Sequence, residues 1–143
     1  MNIQDYSVPV EDRVPFAKFM AYIAQVDGKV TLDEKQAIDS VIFAWCLDEA
    51  AVKKIYHVME HGATVKDLTS EFKNRKSCYL LIQELITLAS FDGNYEKNEQ
   101  RAIQEIASLC SISKPRVKQI EKWVSDGIAW RKKGVVLITP EGE

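Results

Sequence analysis

Apolar residues return along this chain at the spacing of helices, and they do so twice in the same order. Phe16, Phe19, Met20, Ile23 and Ala24 recur three and four residues apart, as an amphipathic helix requires, and Pro15 suits its first turn. That helix should end near Asp27-Gly28. A second stripe, Ala37, Ile38, Val41, Ile42 and Trp45, follows Thr31-x-x-Glu34, a capping-box signature, and should run to about Leu47. Asp48 then caps a third helix carried by Val52, Ile55, Tyr56 and Met59 and stopped at Gly62. Thr64-x-x-Asp67 starts a short linking helix with Val65, Leu68 and Phe72 inward. The order then repeats. Tyr79, Ile82, Leu85, Ile86 and Ala89 precede Asp92-Gly93; Ala102, Ile103, Ile106 and Cys110 follow; Val117, Ile120, Val124 and Ile128 close the series, with Ser113 as cap and Pro115 early in the helix. The pattern predicts an all-α, single compact bundle of about seven helices built from two pseudo-symmetric repeats.

The repetition has a fixed register of 65 residues. Asp27-Gly28-Lys29-Val30-Thr31-Leu32-Asp33-Glu34 returns as Asp92-Gly93-Asn94-Tyr95-Glu96-Lys97-Asn98-Glu99, each followed two residues later by Ala-Ile. Met20/Leu85, Ile23/Leu88, Ala24/Ala89, Val41/Ile106, Leu47/Ile112, Val52/Val117 and Ile55/Ile120 match at the same spacing. The expected organisation is one domain over 1–133, with repeats at about 13–62 and 77–131 and the linking helix at about 64–75. A tail over 134–143 follows. The Gly134–Thr139 part of that tail, rich in β-branched residues and closed by Pro140, looks too short for a helix of its own. It either packs on the bundle, the favoured expectation because four exposed apolar residues invite aggregation, or serves as an apolar peptide for a partner.

The repeated acidic phrase carries the candidate chemistry. Glycine after a helix supplies a left-handed residue, and Glu34 can bond back to the amide of Thr31, so capping explains much of the first copy. It does not explain Asp27, whose carboxylate meets the negative end of the helix dipole at a cost of about 0.3–1 kcal/mol. In the second copy Glu96 replaces Thr31 and is no favoured cap, yet Glu99 is kept. If the helices fold back at the glycine, each Asp approaches the Glu of the next first turn. Two carboxylates beside the carbonyls of a helix end suit a hard cation such as Ca²⁺ or Mg²⁺. The alternative is that each Asp accepts bonds from the amides just after it, in a purely structural turn. An EF-hand does not fit: Asp27, Gly28, Val30 and Glu34 match the second half of that loop, but its first and third places hold Ile23 and Gln25, or Leu88 and Ser90. A Ca²⁺ site here would lack ligands and bind weakly.

Helix, Ala-x-x-Asp-Gly-x-[Val/Tyr]-x-x-x-Glu-x-x-Ala-Ile, helix, present twice, resembles the TerB-like domain family, named for bacterial tellurite-resistance proteins. The likeness covers roughly residues 13–130. It implies an all-α fold of two helical units and metal binding by paired acidic residues, which here are Asp27, Glu34, Asp92 and Glu99. It also implies an adaptor role in bacterial metal, tellurite or stress response. The family occurs in a membrane-anchored J-domain co-chaperone, whose His-Pro-Asp motif this sequence lacks. The rival reading is a purely structural protein–protein module without metal.

Composition narrows the field. With 19 basic and 21 acidic side chains the net charge is −2, so no general attraction to nucleic acid is expected. No apolar run approaches the roughly 20 residues of a membrane span, and no secretion signal is visible, so the expected location is cytoplasmic. Cys46, Cys78 and Cys110 form no C-x-x-C pair and read as small buried residues of a reducing compartment. His57-Val58-Met59-Glu60-His61 formally matches H-x-x-E-H, but the next repeat has Lys122, Ser125 and Asp126 at those places and no further ligand is evident. Trp130-Arg131-Lys132-Lys133, with Lys114, Arg116, Lys118 and Lys122 upstream, could face nucleic acid or a membrane surface; the competing reading puts Trp123 and Trp130 in the core. No phosphate-binding loop or nucleophile arrangement is present, so a non-enzymatic module with a protein partner is expected and peripheral membrane association stays open.

Overall fold

The computed structural model describes residues 7–26, 28–90, 93 and 95–142. Among them a 3-10 turn, Val10–Asp12, leads into α1 (Arg13–Gln25), α2 (Leu32–Ala44), α3 (Glu49–His61), α4 (Val65–Ser70), α5 (Arg75–Ala89), α6 (Lys97–Leu109) and α7 (Lys114–Ile138), with no strand. The all-α expectation holds.

The core is organised around α1 and α5, which pack against each other. On α1, Ala17, Phe19, Ala21, Ile23 and Ala24 are fully buried, and on α5 Leu81, Ile82 and Leu85 are. Alanines at 17, 21 and 24 share one face, which lets neighbouring backbones come close without a void. α1 also packs on α2, α3 and α4, while α5 packs on α6 and α7. Phe19 stacks on Phe72 at a centroid distance of 5.3 Å, so the segment after α4 is tied to the centre.

The helix ends follow local rules. Asp48 accepts the Ala51 amide at 2.8 Å and Ser113 accepts the Arg116 amide at 3.3 Å, so both predicted caps form. Thr64 sits at the N-cap of α4 but makes no side-chain cap bond. α2 stops at Ala44, three residues before the expected end near Leu47. The reason is a left-handed residue, Cys46 (φ 51°), with Leu47 N–H donating to Ile42 C=O at 3.1 Å and Cys46 N–H to Phe43 C=O at 3.1 Å. α6 ends the same way: Ser111 (φ 58°) is left-handed, and Ile112 N–H reaches Ala107 C=O at 2.8 Å.

Three expectations are corrected. The last apolar segment is no separate tail packed on the bundle: α7 continues through it as one helix of 25 residues, and Val135–Ile138 stay in solvent. Continuing an established helix needs no new nucleus, which is why a segment too short to be helical alone is helical here. Trp123 and Trp130 are exposed rather than core, because the buried side of α7 is carried by Val117 and Val124. Cys46 is also exposed, displaced outward by its place in the α2 terminus, whereas Cys78 and Cys110 are buried.

Candidate functional site

Each acidic junction is built from the end of one helix, a glycine turn and the start of the next. Gly28 and Gly93 have φ of 80° and 79°, a region open to glycine at little cost. Gly28 N–H closes the turn on Gln25 C=O at 2.8 Å, and Gly93 N–H closes the matching turn on Ser90 C=O at 3.0 Å. Glu34 and Glu99 lie in the first turns of α2 and α6 and are only 7% and 4% exposed. Glu34 Oε1 accepts the Thr31 amide at 3.0 Å while Thr31 Oγ1 accepts the Glu34 amide at 3.1 Å, a complete capping box.

The second copy keeps that bond without the threonine. Glu99 Oε1 accepts the Glu96 amide at 3.2 Å. The sequence argument that capping fails to account for Glu99 is corrected in this respect: the backward bond needs only the acid at the third helical position, not a favoured cap residue. Asp27 and Asp92 lie outside the described residues, so their approach to Glu34 and Glu99 is not described either. Among the described residues no group of three or more His, Cys, Asp or Glu side chains is gathered to hold a metal ion.

The two junctions are not alike. Beside the second, a cleft of about 470 Å³ is lined by Ile86, Ser90, Gly93, Tyr95, Glu121 and Ser125, among others. Burial, with Glu121 and Glu99 close by, pushes the Tyr95 phenol well above its ordinary value. Sequence reasoning missed both Tyr95 and Glu121. In the 65-residue register they correspond to Val30 and Tyr56, so the duplication hid them. Tyr56 has other work, donating its hydroxyl to Asp39 Oδ1 at 2.6 Å. A separate cleft of about 460 Å³ is lined by Arg13, Phe16, Met20, Trp45 and Glu84 among others, and neither Glu34 nor Glu99 is part of it. Arg13 there stands 5.6 Å over the Trp45 ring and donates through Nε to Val8 C=O at 3.1 Å.

The family model described as tellurite resistance protein TerB matches residues 13–122, the span that contains both acidic junctions. The chain belongs to the TerB family. No curated protein and no solved structure matches it. In this TerB chain the match stops within α7, so the last turns of that helix lie beyond the matched span. No helix of the described residues is long and apolar enough to cross a membrane.

The remaining candidates of the TerB chain are exposed. His57 and His61 place their rings 4.7 Å apart one turn from each other on α3, with His61 Nε2 3.7 Å from Glu60. The glutamate is thus spent partly on its own neighbour, and no cleft is formed by these three residues among those described above.

Proposed function

We propose that this TerB module is a non-enzymatic adaptor that holds a divalent cation at its Asp-Gly···Glu junctions, using Asp27 with Glu34 and Asp92 with Glu99. The observation that carries the reading is the repeated burial of a first-turn glutamate, with one carboxylate oxygen fixed by the N-cap amide in both copies. A carboxylate so fixed costs little further entropy on binding an ion. All-oxygen donors suit Ca²⁺ or Mg²⁺. The cation would neutralise charge at each helix junction and set the angle between successive helices, and so the surface offered to a protein partner in a metal, tellurite or stress response in the cytoplasm.

A second reading is favoured by the same bonds. Glu34 and Glu99 stand at helix N-termini, where the dipole and the N-cap amide stabilise a carboxylate without any ion. On that reading the module is purely structural. Thermal unfolding of chelator-stripped protein, with and without millimolar Ca²⁺, Mg²⁺ or Zn²⁺, separates the two, since an ion at about 100 times its Kd adds about 2.7 kcal/mol of stability. Glu34→Gln with Glu99→Gln preserves an acceptor for the N-cap amide while removing the charge. The cation reading requires a rise in Tm that Asp27→Asn with Asp92→Asn abolishes and that the glutamine pair weakens. No rise with any ion leaves the structural reading.

A further inference from the structure

Beyond the acidic junctions, the far end of α7 presents an arrangement that neither cation binding nor the bundle explains. Every residue from Ala129 onward that the structure describes is exposed. Trp130 is 75% exposed, and Val135, Val136, Leu137 and Ile138 are 60, 72, 83 and 82% exposed. Four consecutive helical residues, at 100° each, cover about 300° of the circumference, so this end is apolar all round rather than along one stripe. Arg131, Lys132 and Lys133, also consecutive, form a cationic collar one turn before it. α7 as a whole carries seven cationic and two anionic side chains in a protein of net charge −2.

A groove on a protein touches one side of a helix and would leave most of this tip in water. A bilayer wets every side of it. The layering along the axis is that of an interface: an apolar tip, then a ring of cations at headgroup depth, with Trp130 at the outer edge of that layer. At 1.5 Å per residue, Val135–Ile138 span about 6 Å, within the roughly 5–10 Å to which interfacial segments sink. Thr139 leaves the helix in an extended conformation, Pro140 prevents its continuation, and the chain turns at Glu141-Gly142.

We propose that the end of α7 docks this protein end-on to an anionic lipid surface, with Val135–Ile138 at the acyl boundary and Arg131, Lys132 and Lys133 at the phosphates. The contact is peripheral, and it orients α7 along the membrane normal with the bundle held off the surface.

The test is sedimentation of the full chain with vesicles of phosphatidylcholine mixed with phosphatidylglycerol, against phosphatidylcholine alone. Binding to the mixed vesicles should exceed binding to the neutral ones, fall as salt is raised, and shift Trp130 emission to the blue, a change lost in Trp130→Leu. Each of Arg131→Gln, Lys132→Gln and Lys133→Gln should lower the partition coefficient about fivefold. Leu137→Asp with Ile138→Asp should lower it more than roughly tenfold, with Tm unchanged because both side chains are already in solvent. Failure to bind the mixed vesicles, or binding that survives Leu137→Asp with Ile138→Asp, overturns the proposal. So does lipid-free self-association that the same variants remove, which would give the tip to a second copy of the chain.

Discussion

Replacing Asp12 by alanine should be among the most damaging single changes in this protein, although nothing in the sequence pattern marks it. Its carboxylate is fully buried and takes four hydrogen bonds from one stretch of chain: Oδ1 from the Lys73 amide at 2.9 Å, and Oδ2 from the Asn74 amide at 3.0 Å, Asn74 Nδ2 at 3.0 Å and Ser77 Oγ at 2.7 Å. Asn74 is the N-cap of α5 and makes no side-chain cap bond of its own. Asp12 therefore braces the entry to α5 from a turn more than 60 residues earlier in the chain, holding the Lys73 and Asn74 amides just before the helix and the Ser77 hydroxyl in its first turn. It ties the start of the first central helix to the start of the second.

The magnitude follows from what is left behind. Bonds to a charged acceptor contribute about 1.5–3 kcal/mol each but do not add fully. Removing the acceptor from a buried polar cluster costs about 3–5 kcal/mol in all. At an unfolding entropy of about 2.1 cal/mol/K per residue, this lowers Tm by roughly 10–17 °C for a chain of 143 residues. Ser77→Ala removes one donor and should cost about 1–1.5 kcal/mol, roughly 3–5 °C. Urea unfolding should show a lower midpoint with the slope unchanged, and the double variant should cost less than the two singles together. A loss under about 0.5 kcal/mol in Asp12→Ala, or strict additivity with Ser77→Ala, would refute this brace.

The same group fixes a pH dependence. Burial alone would raise the Asp12 pKa, but the bonds from Ser77, Lys73 and Asn74 outweigh it and the carboxyl is held below its ordinary value of 3.8. A group with a depressed folded pKa stabilises the fold above its unfolded pKa, about 3.9, and loses that contribution as pH falls through the folded value. The stability gap between the native protein and Asp12→Asn should accordingly be constant near neutrality and close only below about pH 4.

Other substitutions probe the glycine turns and a lone polar bond. Gly28→Ala and Gly93→Ala meet no atom within 4 Å, so each should cost only the left-handed backbone strain, about 1–2 kcal/mol, and equally at the two junctions in urea unfolding. Gly62→Ala should cost more, up to about 3 kcal/mol, because φ 75° with ψ −170° belongs almost solely to glycine and the new Cβ lies 3.1 Å from Gln25 Oε1. Tyr56→Phe removes the 2.6 Å bond to Asp39 and should lower stability by about 1 kcal/mol; the native Tyr56 phenol should ionise later than an ordinary tyrosine, since that bond holds its proton. Loss of stability in Gly28→Ala but none in Gly93→Ala would show that the two turns are not held alike.

Helices were legible wherever an apolar stripe and a cap agreed, as at Thr31 with Glu34, Asp48 and Ser113. The 65-residue register even carries the left-handed ends at Cys46 and Ser111, though neither residue type announces one. What the sequence could not disclose were features made by distant segments. Asp12 reads as an ordinary acidic residue before a helix, and its partners at 73–77 become neighbours only once α1 and α5 are packed together. The exposure of Trp123, Trp130 and the Val135–Ile138 run was misread because period and hydrophobicity cannot tell a core face from a helix that outruns its core. Only the length of the rest of the bundle decides that, and length is a tertiary quantity.

The two junctions, alike in sequence, are unlike in surroundings, and this gives the cation reading its most selective test. Tyr95 is half-buried beside Glu121 and Glu99, and that burial, with their charge, holds its proton on. At the first junction the matching positions are Val30 and a Tyr56 committed to Asp39. A divalent ion at the second junction would offset the two carboxylates, and the Tyr95 phenol would then ionise at lower pH. The absorbance of ionised tyrosine, followed upward from pH 9 in the native protein and in Tyr95→Phe, isolates this one group. Addition of Ca²⁺ should move the Tyr95 transition downward, and Asp92→Asn or Glu121→Gln should remove the movement, whereas Asp27→Asn should not. A transition indifferent to the ion would mean that no cation approaches Glu99. The buried glutamates would then be explained by their bonds to the N-cap amides alone.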